Sequence, residues 1–276
     1  VVNWDVDLVN LIELSYHVMQ SKNGQAIPEG SEWKNDAQVI GTKIFRHVVS
    51  AQQIGAGVAL DFGESRKFVH IDHPSVAVIV RAAVEAFLTF NYIFANDDDA
   101  ISIYRHKLWK RSGLIDRGKH AAYTPESKEI QRLEALESEK LLSEIQSSEF
   151  YKLGNRDSRK KIDSGEWKPI GGWYAITKDS NIHQEYFNSI YNHLSGHSHA
   201  SYISILQIRD ANDKFEDQKM LADSSRQMLC LILAHFLFSY VKVFPESRKI
   251  LEQDSRLYEA AETWHIQKEE VKFIYS

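Results

Sequence analysis

The sequence predicts an all-α protein: one bundle-like domain of about eight helices over residues 1–276, and three observations carry that expectation. The chain has 13 Gly and 5 Pro, against roughly 33 expected from average usage, too few turn-makers for a many-stranded sandwich or barrel. Apolar residues recur at steps of three and four through most of its length, the period of a half-buried helix. Four of the five prolines fall at the edges of these periodic segments, where a residue without an N–H does least harm. Hydrophobic residues at 43% and charged residues at 26% are enough to build and solvate a sizeable core.

In chain order, the first helix spans about Asp5–Met19 through Leu8, Leu11, Ile12, Tyr16 and Met19. Lys22-Asn23-Gly24 and Pro28-Glu29-Gly30 end it. A second covers Asp36–Leu60 through Val39, Ile40, Ile44, Val48 and Ile54, with Gly41, Gly55 and Gly57 as weak points. His70 to Ser75 connects into a third helix, Pro74–Ala95, and Asp97-Asp98-Asp99 supplies an acidic first turn for a fourth reaching Ser112. Thr124-Pro125-Glu126 opens a fifth, solvated helix to Ser148, after which residues 149–180 read as an irregular insertion. A proline-free run predicts one continuous sixth helix, Ile182–Ile208; Glu216–Phe244 forms the seventh, and Ser247–Gln267 the last. Residues 74–244 make the core segment, with 1–73 as N-terminal helices and 245–276 as the C-terminal helix.

Charge and cysteine content narrow the function classes. A net charge of −5 gives no overall drive toward nucleic acid or acidic lipid. The lone Cys230 excludes an intrachain disulfide or a cysteine metal centre. A cytoplasmic location fits, since Trp4-Asp5-Val6-Asp7 places acid where a basic leader would stand. No membrane partner is expected, because Met228–Phe244 falls short of about 20 apolar residues and carries His235, Ser239 and Lys242.

The third helix is apolar nearly all round except for Arg81 and Glu85, four apart on one face. Buried charges must pair, so this face needs a polar neighbour. The sixth helix offers one along Ile182, Tyr186, Ile190, His193, Leu194, His197, Ser201, Ile205 and Ile208, flanked by Tyr191, Ser195 and Ser198. The expected site is therefore Arg81, Glu85, Tyr191, Ser195 and His197, and the alternative is a purely structural lock made of the same side chains.

Arg81-Ala82-Ala83-Val84-Glu85-Ala86 and Tyr191-Asn192-His193-Leu194-Ser195-Gly196-His197-Ser198-His199-Ala200-Ser201 resemble the two signature helices of an uncharacterised prokaryotic all-helical family, written R-x-x-x-E and Y-x-x-L-S-x-x-H. That family is in turn distantly similar to HEPN domains, several of which are metal-independent ribonucleases of toxin–antitoxin and phage-defence systems. The resemblance implies an Arg, a following polar residue and a His four to six positions on, usually across a homodimer. Asn192 and His197 match the last two, and Tyr191 stands where the Arg belongs, leaving Arg81 to supply the cation. It also implies RNA as substrate and a protein partner or antitoxin. In such a site His197 would serve as general acid or base and Arg81 would steady phosphate charge, with no cofactor.

Other constellations compete. His193 and His197, at i and i+4, share a face as zinc-binding histidines do, with Glu85 as the natural third ligand. Between residues 101 and 120 six Lys or Arg stand against one acid, Asp116, so Arg105, Lys107, Lys110 and Arg111 form a candidate nucleic-acid face interleaved with Tyr104 and Trp109. The competing expectation is a solvated helix whose aromatics pack inward. Two function classes follow: a metal-independent endoribonuclease, and a non-catalytic helical module that binds a protein partner.

Overall fold

The computed structural model describes residues 2–63 and 67–271. Its helices are α1 (Trp4–Gln20), α2 (Lys34–Gly55), α3 (His73–Phe94), α4 (Asp99–Gly118), α5 (Pro125–Ser147), α6 (Glu149–Leu153), α7 (Arg156–Asp163), α8 (Gly172–Thr177), α9 (Gln184–Ser198), α10 (Tyr202–Ala211), α11 (Phe215–Val243), α12 (Arg248–Leu251), α13 (Ser255–Trp264) and α14 (Lys268–Val271). A short antiparallel hairpin, β1 (Val58–Asp61) with β2 (Lys67–His70), separates α2 from α3, pairing Val58 with His70 and Leu60 with Phe68. The all-helical class stands, with more and shorter helices than the periodicity predicts.

α3 is the central rod. The Asp72 carboxylate accepts from the Ser75 amide at 3.1 Å to cap its start, Pro74 sits in the first turn, and α2, α4, α9 and α11 pack around it. Val80, Phe87, Leu88, Phe90 and Ile93 are fully buried. The Phe90 ring meets Phe236 and Tyr240 of α11 at centroid distances of 5.2 and 6.1 Å. Gly41 lets α2 close on the same cluster, since a Cβ there would lie 3.2 Å from the Phe236 ring. Among the described residues two helices are long and apolar enough to cross a membrane, α3 and α11, and both are mostly buried among the other helices.

Several element boundaries differ from expectation, for local reasons. α2 runs through Gly41 and stops at Gly55, because the next residues pair as a strand. The hairpin carries Leu60, Phe68 and Val69 about half exposed, so no buried alternation advertises it. Val39 and Tyr16 are exposed rather than core-facing. α4 continues past Ser112 to Gly118 along α5. The expected irregular stretch 149–180 contains α6, α7 and α8, each short and each preceded by Ser, Asn or Gly. The C-terminal helix is broken into a 3-10 turn at Pro245–Ser247 followed by α12, α13 and α14, with Asp254 capping α13.

One polar knot ties α1, α2 and α11 together. Arg226, with its side chain 7% exposed, donates to Asp5 at 2.8 Å, Asp223 at 2.7 Å and Gln52 at 2.6 Å, and lies 5.2 Å from the Trp4 ring centroid. Gly55 is what admits it, since a Cβ there would come within 2.4 Å of the Arg226 Cδ. Arg226→Ala is expected to lower unfolding stability by about 2 kcal/mol, because it removes the cation that joins Asp5, Asp223 and Gln52 and leaves the Gln52 carbonyl without its donor, while Asp223 keeps Lys219 at 2.5 Å. Asp5→Asn, at a solvent-exposed carboxylate, should cost under about 1 kcal/mol. Urea denaturation of both variants checks the contrast.

Candidate functional site

Positions 73, 77, 81 and 85 recur every four residues and so share one face of α3, carrying His73, Ala77, Arg81 and Glu85. α9 lies against this face, running antiparallel to α3, so that His73 meets His197 and Glu85 meets Tyr191. Arg81 Nε donates to Glu85 Oε1 at 3.0 Å, and Arg81 Nη2 donates to the Tyr191 hydroxyl at 3.0 Å. That hydroxyl donates in turn to Glu85 Oε1 at 2.8 Å, closing a triangle, and the guanidinium lies 5.0 Å from the Tyr191 ring centroid. The Tyr191 hydroxyl is held above its ordinary pKa by burial and by the Glu85 carboxylate. The side chains of Arg81 and Glu85 remain 19% and 29% exposed, so the cluster is open to solvent.

The sixth helix is not continuous. α9 ends at Ser198, Ala200 takes the left-handed conformation with φ at +49°, and the Ser201 hydroxyl accepts from the Ser204 amide at 3.2 Å to start α10. Gly196 makes room for the reversal, because a Cβ there would sit 2.9 Å from Ser201 Oγ. Beyond the break the expected seam no longer faces inward: Ile205 and Ile208 are 49% and 39% exposed. The break also brings His199 back to α3, with its Nε2 3.3 Å from Arg81 Nη1. A guanidinium can only donate, so His199 Nε2 accepts and the neutral ring carries its proton on Nδ1.

The expected Arg81–Glu85–His197 cluster therefore divides. Arg81, Glu85 and Tyr191 converge with His199, whereas His197 lies between two other imidazoles, His73 at 5.8 Å and His193 at 5.5 Å between ring centroids, both edge-on. His199 and His73 were the residues sequence reasoning left out. The four-residue repeat from His73 to Glu85 was the available signal for the second, and nothing local marked the first. In the Y-x-x-L-S-x-x-H spacing the last position falls on Ser198, with His197 and His199 on either side. Asn192 is exposed, and Ser195 Oγ is buried without a hydrogen-bond partner, as is His197 Nδ1. Among the described residues no group of three His, Cys, Asp or Glu side chains is placed to hold a metal ion.

Burial sets the charge of this imidazole row. It pushes His73 down to about 4, with His197 beside it adding to the shift. Burial lowers His193, and burial together with His193 lowers His197, which Gln207 opposes with a hydrogen bond. All three rings are accordingly neutral near pH 7 and able to accept a proton.

The candidate nucleic-acid face is engaged internally. Arg105 donates to the Tyr92 carbonyl at 2.8 Å and to Asp179 at 3.1 Å, and Arg111 donates to the carbonyls of Ile162 and Asp163 at 2.6 and 3.0 Å. Lys107 pairs with Glu144 at 2.8 Å and Lys110 with Glu137 at 3.0 Å, both across to α5. Trp109 packs on the main core, and Tyr104 lies 5.3 Å from Phe150. The basic stretch thus serves to dock α5 and the segment around α7.

Two outcomes follow. Ala200→Gly should raise stability by about 1 kcal/mol, measured by chemical denaturation, because glycine meets the left-handed conformation without Cβ strain. The imidazole row makes stability pH-dependent: a folded-state pKa below the unfolded value near 6.5 contributes stability that is full above about 6.5 and lost as pH falls toward about 4. Tm should fall across that window, and His73→Asn should flatten the fall while leaving the profile above pH 7 level.

No curated protein and no solved structure matches this chain. Residues 70–217, which run from the end of β2 through the α3 stripe, α9 and the break to the start of α11, match the family described as a family of unknown function (DUF5677). That match covers more than half of the chain, which belongs to this family.

Proposed function

We propose that the chain is a HEPN-like helical protein of the phage-defence or toxin–antitoxin kind, a cytoplasmic endoribonuclease that needs no metal ion. The observation that carries this is the contact between Arg81 and His199 in a solvent-open cluster. A guanidinium has five N–H groups, of which Glu85, Tyr191 and His199 engage three, leaving one on each Nη for a phosphate oxygen.

In the reaction, a ribose 2′-oxygen attacks the adjacent phosphorus, and its proton passes to a general base. The bond from phosphorus to the 5′-oxygen breaks, and an acid protonates that oxygen, giving a 2′,3′-cyclic phosphate and a 5′-hydroxyl end. His197, kept neutral by burial, takes the role of base, and water serves as the acid, the hydroxide it leaves taking up the proton that His197 gained, while His199 Nδ1–H donates a hydrogen bond to a phosphate oxygen. Arg81 offsets charge on the phosphorane, with Tyr191 and Glu85 holding its orientation. Asn192, exposed on α9, is left to contact the substrate, and Ser195, whose hydroxyl is buried, lies beneath it. A protein partner or antitoxin, or a second copy in a homodimer, would cover or complete this face.

A non-catalytic module is the second reading, favoured by the closed Glu85–Arg81–Tyr191 triangle and by the internal engagement of Arg105, Lys107, Lys110 and Arg111. Incubating purified protein with RNA and EDTA separates the two. Cleavage to cyclic-phosphate ends is expected, with Arg81→Ala, His197→Ala and His199→Ala each slowing it about 100-fold or more. Uncut RNA, or cleavage that all three variants retain, would overturn the nuclease assignment, and lowered stability alone would identify a lock.

A further inference from the structure

A second feature lies beside the imidazole row. β2, the start of α3, the end of α10 and the α10–α11 turn enclose a cleft of about 480 Å³, within the range of roughly 300–1,000 Å³ typical of ligand sites. Its floor is rigid. Gln218, 8% exposed, accepts from the Ile71 amide at 2.9 Å and donates to the carbonyls of Ala211 and Asn212 at 3.0 and 2.8 Å, stitching the two sides together.

Its walls carry unusually bare aromatic surface. Phe68 is 51% exposed and Phe215 49%, and Val69 and Ile208 are also exposed. Polar groups interrupt this surface. His70, whose Nδ1 is buried without a hydrogen-bond partner, has its ring 4.6 Å from Phe68, and Asp213 sits on the rim. Among the described residues that line it, Lys67 faces Asp61 at 3.7 Å, and Asp72 caps α3. Half-exposed rings and a rim carboxylate suit a planar heterocycle that carries hydrogen-bond donors. The cleft is continuous with the candidate site, because His73 borders it and touches His197.

We infer that this cleft is a subsite for one nucleobase, stacked against Phe68 or Phe215 with its amino edge toward Asp213. A carboxylate accepts hydrogen bonds from exocyclic amines, so cytosine, adenine and guanine bind in preference to uracil. That the base belongs to RNA rests on the function proposed above; the stacking site itself does not.

Calorimetric titration with 2′-O-methyl trinucleotides that differ only in the central base tests it, since these cannot be cleaved by 2′-hydroxyl attack. The three amino-bearing bases should bind more tightly than uracil. Phe68→Ala and Phe215→Ala, both at exposed positions, should each weaken binding about tenfold, and Asp213→Asn should narrow the gap to uracil. Binding that both phenylalanine variants leave intact would overturn the subsite, as would absence of binding by a wild-type protein that still cuts RNA. Wild-type protein that binds through these rings yet leaves RNA uncut would keep the subsite and sink the nuclease. Protein that neither binds nor cuts would remove both.

Discussion

The constraint on which this structure depends is the burial of α3. A helix of 22 residues enclosed by α2, α4, α9 and α11 can shed water around most of its circumference only because most of its side chains are apolar. The exception is the stripe carrying Arg81 and Glu85. Two charges cannot be enclosed there unpaired, so the element that covers this stripe must bring polar groups of its own. α9 does so with the Tyr191 hydroxyl, which both accepts from Arg81 and donates to Glu85. The placement of α9, and with it His193 and His197, follows from that requirement.

A second consequence comes from where α9 stops. Had the helix continued, His199 would project about 200° away from His197 and could not reach the α3 stripe. Termination at Ser198, with Ala200 left-handed and Gly196 close against Ser201, turns the chain so that His199 meets the guanidinium. Two chemically distinct environments result from one short segment. His199 shares a solvent-open cluster with a fixed cation, while His73, His193 and His197 form a neutral row whose burial disfavours protonation.

The basic segment of α4 shows how charge in a sequence can be committed before it reaches a surface. Lys107 and Lys110 meet Glu144 and Glu137, and Arg111 is spent on two backbone carbonyls. These contacts hold the α4–α5 pair around its own small cluster of Leu108, Leu141 and Ile145, apart from the main core. The local excess of cations was plain in the sequence, but the acids that answer it lie some 30 residues away along the chain.

The sequence by itself determined what depends on composition and local periodicity. The helical class follows from scarce glycine and proline, α3 and α11 from their long apolar runs, and the starts of α3 and α5 from Asp72-His73-Pro74 and Thr124-Pro125. The pairing of Arg81 with Glu85 follows from four-residue spacing, and that of both with Tyr191 from the need to satisfy partly buried charges on an otherwise apolar helix. Tertiary structure decided the rest. The hairpin before α3 has no buried alternation to betray it, and the break at Ala200 is a non-glycine residue in a left-handed conformation that no residue type announces. Which histidine meets Arg81 was settled by that break, because a helix period assigns neighbours only as long as the helix lasts.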